Sequence, residues 1–257
     1  MIRNKTKEMS KIYAARALKR IQNEIIDLNK SKDILAQSGI YVHYDESDMT
    51  KLYVMMIGPS DSPYEDGYFF FEFVFPENYP MNPPLAKFCT QGEMYELRKK
   101  SNSLVRFNPN LYTCGKVCLS MLNTWQGPGW VPSNTMTNVF MAIQGLVLTG
   151  NPLENEPGYE DLQGTEKASY EVYNEMICFA KYKIAILGML KSPPRGFEVF
   201  LPIMHEKYQQ NSEKYLSQLD DLSRKVNKET VYDMPCYMQR SHLDYAALFR
   251  EFFEFTI

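Results

Sequence analysis

The chain has 257 residues, of which 44% are hydrophobic, 14% aromatic and 23% charged, and its formal net charge is −3. These proportions exclude an intrinsically disordered chain, and a chain of this size buries enough surface to fold without a disulfide or metal staple. So small a net charge gives no overall pull toward nucleic acid or an anionic membrane, and neither is expected as a partner. Apolar stretches are interrupted by Lys, Glu or Pro well short of a membrane span, and the polar, basic start MIRNKTKEMSK lacks the apolar run of a secretory signal. Five cysteines at irregular spacing suit free thiols, so the expected location is cytoplasmic and/or nuclear.

The first element reads as a helix, with Ala14, Leu18, Ile21, Ile25 and Leu28 forming one apolar stripe. Basic residues surround it: Arg3, Lys5, Lys7, Lys11, Arg16, Lys19 and Arg20. Such a run is either a solvated face or a surface for an acidic partner. Residues 40–89 change character. Ile40–Asp45, Lys51–Ile57, Tyr68–Phe75 and Leu85–Cys89 are short aromatic and β-branched runs separated by Gly58-Pro59, Ser62-Pro63, Asp66-Gly67 and Pro83-Pro84, which predicts a four-stranded antiparallel meander. In the third strand Phe69, Phe71 and Phe73 share one face and Phe70 and Glu72 the other, so one sheet face is expected to pack on helices.

Gln91 to Arg106, with Arg98, Lys99 and Lys100, has no regular period, and a loop of that length inside a compact domain is often functional. Phe107-Asn108-Pro109-Asn110 blocks regular structure, and Gly115 precedes the apolar Val117-Cys118-Leu119. A helix follows, capped by Ser133 or Asn134, with Met136, Val139, Phe140, Ile143, Leu146 and Val147 on its apolar face. Another is expected over Thr165–Leu190 through Tyr173, Met176, Ile177, Ala180, Ile184 and Leu187. Pro193-Pro194 and Gly196 then break the chain. Beyond them Phe200, Leu201, Met204, Tyr208, Tyr215, Leu219 and Leu222 suggest helix, with a last short helix around Leu243–Phe255.

Cysteine is the one strong nucleophile with a reactive fraction at neutral pH. Cys89, Cys178 and Cys236 read as structural, whereas Cys118 follows an irregular Pro/Asn/Gly-rich stretch that places it on a bend near the surface. The amide of Asn110 can donate a hydrogen bond to an oxyanion, or it is a turn residue bonding its own backbone. A cysteine protease needs a histidine base, and His43, His205 and His242 are scattered. A zinc site needs four ligands where Cys114, Cys118 and Cys89 offer three, so no metal is expected. A Cys114–Cys118 redox pair matches no thioredoxin-like spacing.

In this order the motifs resemble those of the ubiquitin-conjugating enzymes. Gly58-Pro59 through Pro63-Tyr64-Glu65-Asp66-Gly67 is similar to the family's turn between its second and third strands. Pro76, Tyr79-Pro80, Pro83-Pro84 and Phe88 match its proline signature. Asn108-Pro109-Asn110 stands where His-Pro-Asn is usual, with Cys118 at the place of the active cysteine, and Trp130-Val131-Pro132 resembles the Trp-x-Pro that follows. The likeness is greatest to the large Z-type members. It extends through Arg106–Tyr112, Gly115–Ser120, Thr124-Trp125, Gly127-Pro128, Asn151-Pro152 and Asn155–Glu160, and more weakly to His242-Leu243-Asp244-Tyr245.

The resemblance implies an α+β fold: a four-stranded antiparallel meander with an N-terminal helix, a central helix and C-terminal helices, plus a helical C-terminal extension. Divided accordingly, residues 1–11 are a basic N-terminal tail, 12–191 the catalytic domain and 192–257 the helical extension. It further implies an acyltransferase that takes ubiquitin, and in some members also a ubiquitin-like modifier, from an activating enzyme of dual specificity. The modifier becomes a thioester on Cys118 and passes to a lysine of a substrate protein or to a ubiquitin ligase. Asn110 would assist the chemistry, Glu156 would be the acidic residue at its gate, and Asn108 and Pro109 would shape the loop. Arg16, Lys19 and Arg20 would dock the activating enzyme, and Met81, Val131 and Pro132 a ligase. No cofactor is implied, because ATP is consumed by the activating enzyme. Three departures stand out: Asn108 for the usual His, Phe107 where Tyr is common, and a longer Gln91–Leu104 segment. The alternative within the family is a non-catalytic ubiquitin-binding module, against which the presence of both Cys118 and Asn110 argues.

Overall fold

The computed structural model describes residues 2–91, 104–163, 167–227, 229–234, 237 and 239–255, without the side chains of residues 2–14, 239 and 240. The segment carrying Arg98, Lys99 and Lys100, the basic side chains before Arg16, and Cys236 lie outside the described residues. Helix α1 runs Ile2–Lys30 and α2 Lys32–Gln37, so residues 2–11, read from the sequence as a tail, continue the first helix. Its buried stripe is Ala17, Ile21, Ile25 and Leu28, while Leu18 is exposed. At 100° per residue Leu18 falls at the edge of that arc, whose other flank is held by the buried Glu24.

Strands β1 (Ile40–Asp45), β2 (Asp48–Ile57), β3 (Tyr68–Val74) and β4 (Leu85–Phe88) pair antiparallel in chain order, as the sequence predicts. On one face Phe69 meets Phe107, Phe71 meets Phe88 and Phe73 meets Phe140, with ring centroids 5.3–5.5 Å apart. The other face is covered as well. Phe70 lies 4.8 Å from Phe197 and 6.3 Å from Phe200, and Tyr53 stands edge-on to Phe197 at 5.1 Å. Gly196 makes this return possible: its φ is +89°, and a Cβ there would come within 2.7 Å of the Tyr53 ring.

Helix α3 (Met136–Leu146) starts one residue beyond the expected caps. The Thr135 hydroxyl accepts from the Asn138 N–H, and the Asn138 side chain accepts from the Thr135 N–H, closing a capping box. Its expected face is buried except for Leu146. Helix α4 (Ala168–Ala180) widens into a π-helical stretch, Lys181–Gly188, and closes with Met189–Lys191; every apolar residue predicted for its stripe is buried.

The C-terminal part is not all helical. Helices α5 (Leu201–Lys225) and α6 (Tyr245–Glu254) flank an antiparallel hairpin of β5 (Val231–Met234) and β6 (Gln239–His242), which the sequence reading missed. Phe200, Met204, Tyr208, Tyr215, Leu219, Leu248 and Phe252 join the same apolar core as the sheet and the earlier helices. The Tyr68 hydroxyl donates to the Met204 carbonyl (3.0 Å), and Lys214 Nζ bonds both Glu65 (2.9 Å) and Asp66 (2.8 Å) in the turn before β3. The described parts of α5 and α6 therefore share one apolar core with the sheet and the earlier helices.

Candidate active site

The segment after β4 is held by backbone pairing and by Asn108. Asn108 is fully buried, and its carboxamide is saturated: Nδ2 donates to the Val147 carbonyl (2.8 Å) and the Tyr64 hydroxyl (3.2 Å). Oδ1 accepts from the Asn110 N–H (2.7 Å) and from Asn155 Nδ2 (3.3 Å). Tyr64 in turn donates to the Phe107 carbonyl at 2.6 Å. A buried amide with all its bonds made fixes the loop that carries Asn110. Gly58 lets the Tyr64 turn approach, since a Cβ there would fall 1.9 Å from the Tyr64 carbonyl oxygen.

Cys118 is set by three bonds around it. Its N–H donates to the Asn110 carbonyl (2.8 Å), and Leu111 bridges Val117. The Thr124 hydroxyl donates to the Val117 carbonyl (2.7 Å) and accepts from the Leu119 N–H (2.9 Å), bracketing the cysteine on both sides. Cys118 itself is only 1% exposed, so the expectation of a surface bend is corrected: the bend is present, but the residue is covered. Among the described residues the carboxamide of Asn110 makes no hydrogen bond, although both its backbone groups are engaged. Pro109 accepts from Arg106 Nη2 at 2.6 Å.

Burial pushes the Cys118 thiol above the ordinary cysteine value, while Lys116, the neighbouring Tyr112 hydroxyl and Arg106 pull in the opposite direction. The thiolate is therefore a minority at neutral pH, and its fraction grows about tenfold per pH unit below the pKa. Iodoacetamide modification of Cys118, followed on its own peptide by mass spectrometry, should accelerate steadily from pH 6 to 8.5. A plateau by pH 7 would contradict the direction of this shift.

Arg106 stacks over the Tyr112 ring at 3.8 Å and over the Tyr237 ring at 4.7 Å. Glu156, half-buried beside the Asn155 that ties to Asn108, accepts from the Tyr237 hydroxyl at 2.8 Å. Among the described residues no three His, Cys, Asp or Glu side chains converge as a metal site requires.

The expected docking residues fall on one side of α1 and the loops beside it. Arg16 and Lys19 are exposed, but the Arg20 guanidinium is turned inward onto Glu24 and the carbonyls of Pro132 (2.9 Å) and Asn134 (2.7 Å). Met81 and Val131 are 62% and 50% exposed and lie on neighbouring loops, because Trp130 Nε1 donates to the Pro80 carbonyl at 2.7 Å. Sequence reasoning missed Glu24, Tyr112 and Tyr237. Only Tyr112 had a local signal, its position in the turn closed at Gly115.

The family model for ubiquitin-conjugating enzymes matches residues 20–180, which include the sheet, the Asn108–Cys118 loop and α3. The chain belongs to the ubiquitin-conjugating enzyme family. Its α+β arrangement, the four-stranded meander with flanking helices, is that family's fold. Ubiquitin-conjugating enzyme E2 Z of Xenopus tropicalis is 35% identical over 229 residues, covering 89% of this chain and 67% of the relative. The human protein of the same name is 35% identical over 235 residues, covering 91% and 61%. The probable ubiquitin-conjugating enzyme protein 17 of Caenorhabditis elegans is 39% identical over 185 residues, covering 70% and 24%. The chain thus spans about two thirds or less of the length of these relatives.

Proposed function

We propose that the protein accepts ubiquitin, or a ubiquitin-like modifier, as a thioester on Cys118 and transfers it to a lysine or to a ligase. The observation that carries this reading is Cys118 fixed behind the Asn108–Asn110 loop, with a carboxamide close by in sequence and fold. In the first step the Cys118 thiolate attacks the modifier's C-terminal thioester, and the activating enzyme's cysteine leaves as thiolate. In the second, an amine nitrogen bonds to the carbonyl carbon, the carbon–sulfur bond breaks, Cys118 leaves as thiolate and the amine proton passes to solvent. A lysine with a pKa of about 10.4 is almost wholly charged at neutral pH, so partial desolvation at the site has to favour its neutral form.

Asn110 donates to the oxyanion of the tetrahedral intermediate, and the Glu156 carboxylate orients the incoming amine. Arg16 and Lys19 meet an acidic surface of the activating enzyme, of the dual-specificity kind; Arg20 shapes that surface from beneath through its bonds to Pro132 and Asn134. Met81, Val131 and Pro132 form the apolar contact with a ligase. ATP is consumed by the activating enzyme, and the free thiols suit the cytoplasm or nucleus.

The test is charging with ubiquitin, ATP and each candidate activating enzyme, resolved with and without thiol reductant. A modifier-sized adduct that reductant removes is expected; no adduct with ubiquitin or any ubiquitin-like protein would overturn the reading. Asn110→Ala should slow discharge to free lysine about 10²-fold, with a far smaller effect on charging. Equal losses in both steps would show that the substitution collapses the loop.

A further inference from the structure

Tyr237 lies in the four-residue connection between β5 and β6, in the part of the chain beyond the family match. It is nevertheless seated against the catalytic loop. Its ring faces the Arg106 guanidinium at 4.7 Å and packs 5.6 Å from Tyr173, whose hydroxyl donates to the Arg106 carbonyl at 2.6 Å. A second ring over Arg106 is that of Tyr112, at 3.8 Å, in the loop whose Asn110 carbonyl accepts from the Cys118 N–H, and both Tyr112 and Arg106 act to favour the Cys118 thiolate. The Tyr237 hydroxyl donates to one oxygen of Glu156 at 2.8 Å. A carboxylate held by one oxygen keeps a fixed orientation and still offers its second oxygen to another donor.

We propose that Tyr237 is a positioning residue of the transfer site: its ring holds Arg106 against Tyr112 beside Cys118, and its hydroxyl fixes Glu156 for the acceptor amine. This rests on the thioester reading of Cys118 given above. The two contacts serve the two ends of the second step. Arg106 and Tyr112 ease departure of the sulfur as thiolate, and Glu156 aligns the nitrogen that displaces it. The hairpin is then part of the active centre.

The two contacts separate by substitution in the full chain. Tyr237→Phe keeps the ring and removes the hydroxyl; Tyr237→Ala removes both. With the chain charged by ubiquitin, Tyr237→Phe should slow discharge to free lysine roughly three- to tenfold, and more than it slows charging. If the hydroxyl acts through Glu156, Tyr237→Phe combined with Glu156→Gln should be no slower than Glu156→Gln alone. The ring is tested without any modifier, by the pH profile of Cys118 alkylation. Tyr237→Ala should move the midpoint upward by about half a pH unit, and Tyr237→Phe should restore it. Wild-type discharge by Tyr237→Phe, multiplicative effects in the double variant, or an alkylation midpoint unmoved or lowered by Tyr237→Ala would each overturn the proposal. Failure of the unsubstituted chain to charge would overturn the thioester reading, while the alkylation arm would still decide whether Tyr237 organises the thiol's surroundings.

Discussion

Replacing Cys118 by serine should change the kind of bond the protein forms. The expected product is an oxyester with the modifier that survives thiol reductant, formed slowly because a hydroxyl is a much weaker nucleophile than a thiol. Cys118→Ala should form no adduct at all, a complete loss. Neither change disturbs the three hydrogen bonds that set the position, since all run through the backbone of residue 118 and its neighbours or the Thr124 hydroxyl. The side chain is 1% exposed and small, so serine fits the same space and folding should be preserved. Cys114, exposed and nearby, offers an internal control: Cys114→Ser should leave a reducible adduct in place. A reducible adduct persisting in Cys118→Ala would transfer the assignment to another cysteine.

The second large effect concerns stability and centres on Glu24. Its side chain is 4% exposed and accepts from Arg20 Nε (3.0 Å) and Nη2 (2.8 Å), from the Tyr79 hydroxyl (2.6 Å) and from the Met136 N–H at the start of α3 (3.1 Å). Glu24→Ala would leave a buried phenol and a helix-terminal N–H without their acceptor, and would strand the inner side of a guanidinium. Removing one partner of a fully buried ion pair costs about 3–5 kcal/mol. Arg20 is partly open to solvent, which discounts the loss to about 2–4 kcal/mol. For a chain of this size that is a fall in Tm of roughly 5–15 °C. Glu24→Gln keeps the shape and one acceptor oxygen and should fall between. Calorimetry of the three proteins checks the order, and an unchanged Tm in Glu24→Ala would sink the account.

Glu24 also shows where sequence reasoning stops. A glutamate between Ile21 and Ile25 on a basic helix looks like a solvated charge, and its acceptor role depends on Tyr79 and Met136, 55 and 112 positions away. The meander was legible because its signals are local: alternation within each run and turn residues between them. The Asn108–Cys118 loop was legible for the same reason, through a compact motif. Phe70 was not. Its burial is supplied by Phe197 and Phe200, which no period in β3 can announce. The β5–β6 hairpin escaped notice because the connection between its two short strands, residues 235–238, carries no Gly, Asn or Asp to signal a hairpin turn, and Val231 and Asp233 face solvent. Tyr237 could be found only in three dimensions, since Glu156 lies 81 residues before it.

The aromatic seam between Tyr53, Phe70, Phe197 and Phe200 has a practical consequence for dissecting the protein. Sequence likeness to the family model ends at residue 180, yet a fragment cut there would bare the phenylalanine and tyrosine rings of the sheet to water and lose the Lys214 tether on the turn before β3. Such a fragment should aggregate or unfold, so its inactivity would say nothing about what the missing residues contribute. The residue at which the family model stops is not a boundary at which the polypeptide can be divided. Questions about the C-terminal third are therefore answerable by single side-chain exchanges in the intact chain, and deletion would conflate assembly with chemistry.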